Sequence, residues 1–188
     1  KYRSGTQTFT NADSSKTMAV FNAANSVDLH YNGNNKFKTI NTGVSITGAI
    51  TATDDITAFA SDKRLKTKIE IIKSPLDKIN KLSGFTYNWD KDKCEKAGFI
   101  PKDEQQIGVF AQDVQSVIPQ AVKPSPFDTD EDGKSKSGEN YLTVQYEKIV
   151  PLLIECIKDQ QKQIDGLKYE INLLKKWIII YNGYSWIK

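Results

Sequence analysis

The sequence predicts an α+β protein in three parts: a thin all-β segment over residues 1–60, a small α+β unit over 61–144, and a long coiled-coil helix with an aromatic tail over 145–188. Three observations carry this expectation. Charge is sparse and Thr, Asn, Gly and Ala are frequent up to the stretch Phe59–Ile72, after which the chain becomes charged and amphipathic, a change typical of a domain junction. Apolar residues alternate in short runs before that stretch and recur at helical spacing after it. From Val150 onward they fall at alternating spacings of three and four.

Residues 1–60 hold little Leu and few long apolar runs, which argues against a self-contained core. Met18-Ala19-Val20-Phe21 and Val27-Asp28-Leu29, separated by Asn-rich stretches such as Asn32-Gly33-Asn34-Asn35, read as short strands joined by tight turns. Val44, Ile46 and Ile50 continue the alternation between repeated Thr-Gly steps. Strands this thin bury too little surface alone, so pairing with identical chains is expected. A flexible Thr/Gly linker is the other reading of the same composition.

Beyond Ile69, Ser74 and Pro75 mark a helix start, with Ser as N-cap and Pro in the first turn; Leu76, Ile79 and Leu82 give its apolar face and Gly84 stops it. Phe85, Tyr87 and Trp89 alternate with polar residues as a half-buried strand, and a charged loop with Cys94 follows. Ile107-Gly108-Val109-Phe110 reads as a buried strand leading into a short helix with Val114, Val117 and Ile118, ended by Pro119. Tyr141–Val144 is the last strand. The expected order is strand, helix, strand, short helix, strand, long helix, a small α+β unit.

In the final helix Val150, Leu153, Ile157, Gln160, Ile164, Leu167, Ile171, Leu174 and Ile178 form a heptad seam broken only by Gln160. A seam so narrow predicts a left-handed coiled coil. Pro151 is expected to kink the helix or be tolerated in its first turns, and Gly166 to weaken it locally. Ile and Leu at the two seam positions lean toward two strands on peptide rules.

Bulk properties exclude several classes. At 188 residues the chain is long enough for one substantial domain and an appendage. It does not begin with Met and reads as a piece of something longer. The apolar stretch Trp177–Ile180, extended weakly to Ile187, is too short for a membrane span. The net charge of +3 is too mild for a nucleic-acid partner, and Cys94, Cys156 and the lone His30 have no metal-ligand spacing; free thiols in a reducing compartment and no cofactor are expected.

Asp128, Asp130, Asp132, Gly133 and Glu139 match the calcium-loop pattern of acids with a central glycine. Pro124 and Pro126 stand where a helix should enter, and Ser135 replaces the usual aliphatic residue, so no metal is expected, with an acidic solvated turn as the default and calcium as the rival. Gly133-Lys134-Ser135 ends like a phosphate loop, but Asp128 stands where the first glycine is required. Tyr87, Trp89, Trp177, Tyr181, Tyr184 and Trp186 would serve a stacking surface or, as the stronger reading, core and interface packing.

The candidate chemistry lies at the junction. Ser61 is followed by Lys63, Lys66 and Lys68 with no histidine near, so a hydrolytic role needs a lysine base, the Ser-Lys form of an activated nucleophile. A lysine serves as base only where burial or other cations favour its neutral form, and Lys63, Arg64 and Lys68 are the cations at hand. Asp62 is placed to neutralise or orient a lysine. On an ideal helix Ser61 and Lys66 would stand roughly 140° apart, so the segment must turn or a neighbouring chain must supply the amine. A solvated basic linker is the bland alternative for Ser61–Lys68.

Ser61-Asp62-Lys63-Arg64-Leu65-Lys66 resembles the start of the intramolecular chaperone auto-processing domain of phage tail spikes and tail fibres, and three later stretches resemble it in order: Phe85-Thr86-Tyr87-Asn88-Trp89, Ile107-Gly108-Val109-Phe110-Ala111-Gln112-Asp113-Val114 and Tyr146-Glu147-Lys148-Ile149-Val150-Pro151-Leu152-Leu153. The likeness runs from Ser61 to about Leu174. It implies a homotrimer in which the domain guides assembly of the upstream fibre segment of its own chain, then cuts Ala60–Ser61 with Ser61 as nucleophile and Lys66 as base. It further implies three helices in the coiled coil, against the peptide rules, with the fibre part in the virion and the released chaperone in the host cytoplasm. The rival from another class is a structural or receptor-binding trimer clamped by the coiled coil and never cut. A cellular membrane-bound transcription factor borrowing the domain is a related possibility, which the Thr/Gly-rich β segment disfavours.

Overall fold

A computed structural model describes residues 5–23, 25–57, 60–130 and 132–184. Phe59, where the junction stretch begins, and the tail residue Trp186 lie outside the described residues. Contacts divide the chain into two compact units, Lys1–Thr67 and Lys68–Lys188.

The first unit is an antiparallel meander. Strands β1 (Thr6–Thr10), β2 (Thr17–Asn22), β3 (Val27–Tyr31), β4 (Asn34–Ile40) and β5 (Gly43–Ile46) each pair with the next in sequence. The turn between β3 and β4 is the Asn-Gly step anticipated from sequence: Asn32 and Gly33 have φ of 52° and 82°, the two positive values that let a two-residue loop follow the twist of the strands. β5 ends at Ile46, so Ile50, expected to extend the alternation, is outside the sheet and 70% exposed.

Paired residues project to the same side of a sheet, so the register sorts the side chains by face. Phe9 opposes Ala19, Ala19 opposes Leu29, Leu29 opposes Phe37, and Phe37 opposes Ile46; Phe21 opposes Val27 on the same side. One face is therefore an apolar stripe across all five strands, with Phe9 and Phe21 in edge-to-face contact at 5.7 Å. Among the described residues of the unit only Ser26 is buried, so this stripe is at most half-buried.

The second unit contains α1 (Pro75–Ile79), β6 (Phe85–Tyr87), α2 (Lys91–Lys96), β7 (Gln106–Gly108), α3 (Ala111–Val117), β8 (Val122–Pro124), β9 (Leu142–Val144) and α4 (Val150–Tyr184). β6 pairs with β7 and β8 with β9, both antiparallel. Val114, Ala121, Val122 and Ile149 form the buried core, with Leu82, Val109, Ala111, Ile118, Leu142 and Val144 packed against it. Pro119 stops α3, as expected.

Several expectations are corrected. Ser74 occupies the N-cap position of α1 but adopts φ 47°, ψ 54°, a left-handed conformation in which its side chain makes no cap bond. The helix ends at Ile79, and Leu82 reaches the core from the following turn. The stretch around Cys94 is a helix, not a loop, because the Asp90 carboxylate caps it by accepting from the Lys93 amide at 3.1 Å. β8 was not foreseen, so the order is helix, strand, helix, strand, helix, two strands and the long helix. Of the supposed buried strand only Gly108 is enclosed; Ile107 is 80% and Phe110 57% exposed.

α4 is one helix of 35 residues, about 50 Å long at 1.5 Å per residue. Pro151 is its second residue, where a missing amide removes no intrahelical bond, and the helix continues through Gly166. Leu152 and Cys156, 0% and 5% exposed, are the buried residues of its first turns, and α4 packs against α1. The heptad seam is a different face: Leu153, Ile157, Ile164, Leu167, Ile171, Leu174 and Ile178 are all exposed, and every described side chain from Gln160 to Tyr181 lies open.

Candidate active site at the Ser61 turn

Ser61 and Lys66 meet. Lys66 Nζ donates a hydrogen bond to Ser61 Oγ at 2.8 Å. The segment turns as the spacing required: Lys63–Leu65 form a single 3-10 turn, Leu65 N–H bonds to Asp62 O and Lys66 N–H to Lys63 O, each at 3.1 Å, and the flanking Asp62 and Lys66 are extended (ψ 131° and 137°). One tight turn between two extended residues folds the lysine side chain back over the serine, which no continuous helix would do.

Asp62 sets this turn. Its Oδ1 accepts the Arg64 amide at 2.8 Å, closing the N-cap, and both its oxygens bind the Arg64 guanidinium, Nε at 3.1 Å to each and Nη2 at 2.7 Å to Oδ2. The guanidinium, and after it the amide, hold the Asp62 carboxyl below its ordinary range, while Asp62 holds Arg64 above its own. Asp62 thus orients an arginine rather than the lysine expected from sequence. Ala60 and all six residues from Ser61 to Lys66 are exposed.

The other stretches singled out in the sequence converge within the second unit. Phe85 opposes Gly108 across β6 and β7, and Tyr146 places its hydroxyl against this pair, accepting the Val109 amide at 3.3 Å. A Cβ on Gly108 would stand 2.9 Å from that hydroxyl and 3.3 Å from Tyr87 Cε1, so glycine permits the approach. Burial, and then Tyr146, push the Tyr87 phenol upward. The aromatic residues contact one another in series: Phe85 with Phe110 and Tyr87, Tyr87 with Trp89, Trp89 with Phe99, Phe99 with Phe127 and Phe127 with Tyr141, with centroids 4.2–6.0 Å apart. Rings that pack on each other in this way form a spine for the unit.

The acidic loop is organised by a carboxylate that faces inward. Asp128, 2% exposed, accepts from Ser135 Oγ at 2.7 Å, from Ser137 N at 2.8 Å and from Tyr141 N at 3.2 Å, which lowers its pKa to about 2, Ser135 being the largest cause. Asp130 accepts the amides of Asp132 and Lys134 at 3.0 and 2.7 Å. Among the described residues no three acids, cysteines or histidines gather, so Asp128, Asp130, Asp132 and Glu139 are not drawn into one coordination shell. Sequence reasoning saw the spacing and missed that Ser135, Ser137 and the backbone already use the first carboxylate. Cys94 and Cys156 are free and buried, and burial pushes both thiols upward. Among the described residues no helix is long and apolar enough to cross a membrane.

Comparison with known proteins relates this chain to the C-terminal chaperone domain of phage tail fibres. Residues 61–123 match the model of the chaperone-of-endosialidase family, a self-cleaving peptidase family, and the match opens on Ser61 itself. The chain is 34% identical over 111 residues to the long tail fiber protein Gp37 of Enterobacteria phage K3, covering 59% of this chain and 8% of that protein. To Gp37 of Enterobacteria phage M1 it is 33% identical over 109 residues, 57% of this chain and 38% of that protein. To the myelin gene regulatory factor-like A of Dictyostelium discoideum it is 29% identical over 134 residues, 68% of this chain and 14% of the relative. The chain therefore spans less than two thirds of the length of these relatives.

Proposed function

We propose that this chain is a self-cleaving intramolecular chaperone that directs homotrimer assembly of a viral tail fibre or spike and then releases itself by cutting Ala60–Ser61. The observation that carries the reading is the 2.8 Å hydrogen bond between Lys66 Nζ and Ser61 Oγ at the first residue of the family match. Lys66 in its neutral form takes the proton of the Ser61 hydroxyl, and the oxygen attacks the Ala60 carbonyl carbon through a five-membered ring. The C–N bond breaks, the amine of residue 61 takes the proton back from Lys66, and the acyl group rests on oxygen as an ester. Water hydrolyses the ester, leaving a carboxylate on Ala60 and a free hydroxyl and amine on Ser61.

Trimer formation is supported by two apolar surfaces that the chain leaves open, the stripe across β1–β5 and the seam of α4. Such surfaces are buried when identical chains associate. The Ser61 turn is exposed in the single chain, and association that covered it would desolvate the lysine and favour its neutral form. Cutting then follows assembly. On this reading the fibre part belongs to the virion, the released part to the host cytoplasm, and the Asp128 loop is a structural turn with no metal.

Expression of the chain beside its Ser61→Ala and Lys66→Ala variants tests the proposal. Two fragments from the wild type, with masses placing the cut between Ala60 and Ser61, and one band from each variant are expected. A single band from all three supports the uncut structural clamp, and cleavage in a proven monomer contradicts the coupling to assembly.

A further inference from the structure

The Ser61 turn holds one acid among several cations, and the acid chooses between them. Asp62, Lys63, Arg64 and Lys66 lie within five residues, and no other described residue forms an ion pair or hydrogen bond with the Lys66 side chain beyond Ser61. All the hydrogen-bonding geometry of Asp62 is given to Arg64: two contacts to Oδ1 and two to Oδ2, between 2.7 and 3.1 Å. A guanidinium fork matches a carboxylate better than an ammonium does, and a guanidinium never gives up its proton at ordinary pH. The division of partners is chemically useful. The permanently charged side chain takes the acid, and the side chain able to exchange a proton takes the hydroxyl.

Without Arg64 the balance changes. Asp62 caps the turn that Lys66 closes, so for a freed carboxylate Lys63 and Lys66 are the cations next along the same turn. An ammonium beside a carboxylate is held protonated and cannot accept the serine proton. We infer that Arg64 is a positioning residue of the self-cleavage reaction, sequestering Asp62 so that the Lys66 amine faces Ser61. The inference rests on the dyad reading above and adds to it a role for the Asp62–Arg64 pair beyond stiffening the turn.

The test compares self-cleavage rates of the wild type, Arg64→Ala, Arg64→Lys and the double variant Asp62→Asn/Arg64→Ala across about pH 6 to 10. Mass by light scattering and circular dichroism verify that each variant folds and assembles alike. Arg64→Ala is expected to cut about tenfold more slowly near neutral pH, with its rate profile displaced to higher pH, as a new carboxylate neighbour dictates. The double variant is expected to regain a rate within about threefold of wild type, because the side-chain amide oxygen introduced at position 62 still accepts the backbone N–H of residue 64 but carries no charge. Arg64→Lys should fall between the two. A merely structural Arg64 would leave the double variant as slow as the single one, and that result, or a wild-type rate and profile in Arg64→Ala, overturns the inference.

A second readout does not require cleavage. In the Ser61→Ala background, the NMR titration of the Lys66 amine should move to higher pH on Arg64→Ala and return in the combination with Asp62→Asn. No movement refutes the sequestering role even where no variant cuts. Absence of cutting in the wild type would instead sink the dyad reading, so the two failures are distinguishable.

Discussion

Leu152→Ala tests how the long helix is attached. Leu152 is completely buried in the first turns of α4, which pack against α1, and the neighbouring Ile149 and Cys156 are 8% and 5% exposed. Transfer of the lost carbons alone is worth about 2 kcal/mol at roughly 0.8 kcal/mol per buried methylene. The cavity adds to this, and such replacements cost about 2–5 kcal/mol in all. In urea, where unfolding free energy falls by about 1–3 kcal/mol per molar, the midpoint should drop by roughly 1 M or more with the slope unchanged. Leu153→Ala, one residue on and 42% exposed, is the control. Its side chain belongs to the outward seam, so its effect should be under about 1 kcal/mol in dilute protein and should grow with protein concentration as association contributes. A change below about 1 kcal/mol for Leu152→Ala, or equal losses for both variants at low concentration, would refute the assignment of the two faces.

Two further outcomes follow from the second unit. Gly108→Ala must displace the Tyr146 hydroxyl, 2.9 Å from the new Cβ, and break its bond to the Val109 amide; destabilisation of about 1–3 kcal/mol is expected, and combination with Tyr146→Phe, which removes the hydroxyl, should recover part of it in thermal unfolding. Asp128 has its folded pKa lowered from 3.8 to about 2, so its contribution to stability is fully present above the unfolded value and is lost as pH falls through the folded one. Asp128→Asn should therefore flatten the stability profile between about pH 4 and 2 and weaken hydrogen-exchange protection of the Ser137 and Tyr141 amides; an unchanged profile would show that the loop does not depend on the charge.

What the sequence made legible was local and periodic. The Asn32-Gly33 turn, the strands at Met18–Phe21 and Val27–Leu29, the stop at Pro119 and the seam along α4 each rest on a few neighbouring residues, and each is present. The misreadings arose where tertiary context decides. Ser74 has the right side chain for a cap, but its backbone is turned away; Ile107 and Phe110 are apolar yet lie outward; α2 is charged throughout except at Cys94, so no apolar spacing announced it. Residue types at the junction pointed to Ser61 and Lys66, whereas a three-residue 3-10 turn is too short to leave a period. The preference of Asp62 for Arg64 over a lysine depends on fork geometry, which spacing alone does not convey.

The two faces of α4 have a geometric consequence. Ile149, Leu152 and Cys156 lock the base of the rod against its own domain, so it cannot roll about its long axis, and the azimuth of the outward row from Leu153 to Ile178 is set before any second molecule arrives. Whatever grips that row far along the rod therefore also dictates the angular bearing of the globular head at its foot.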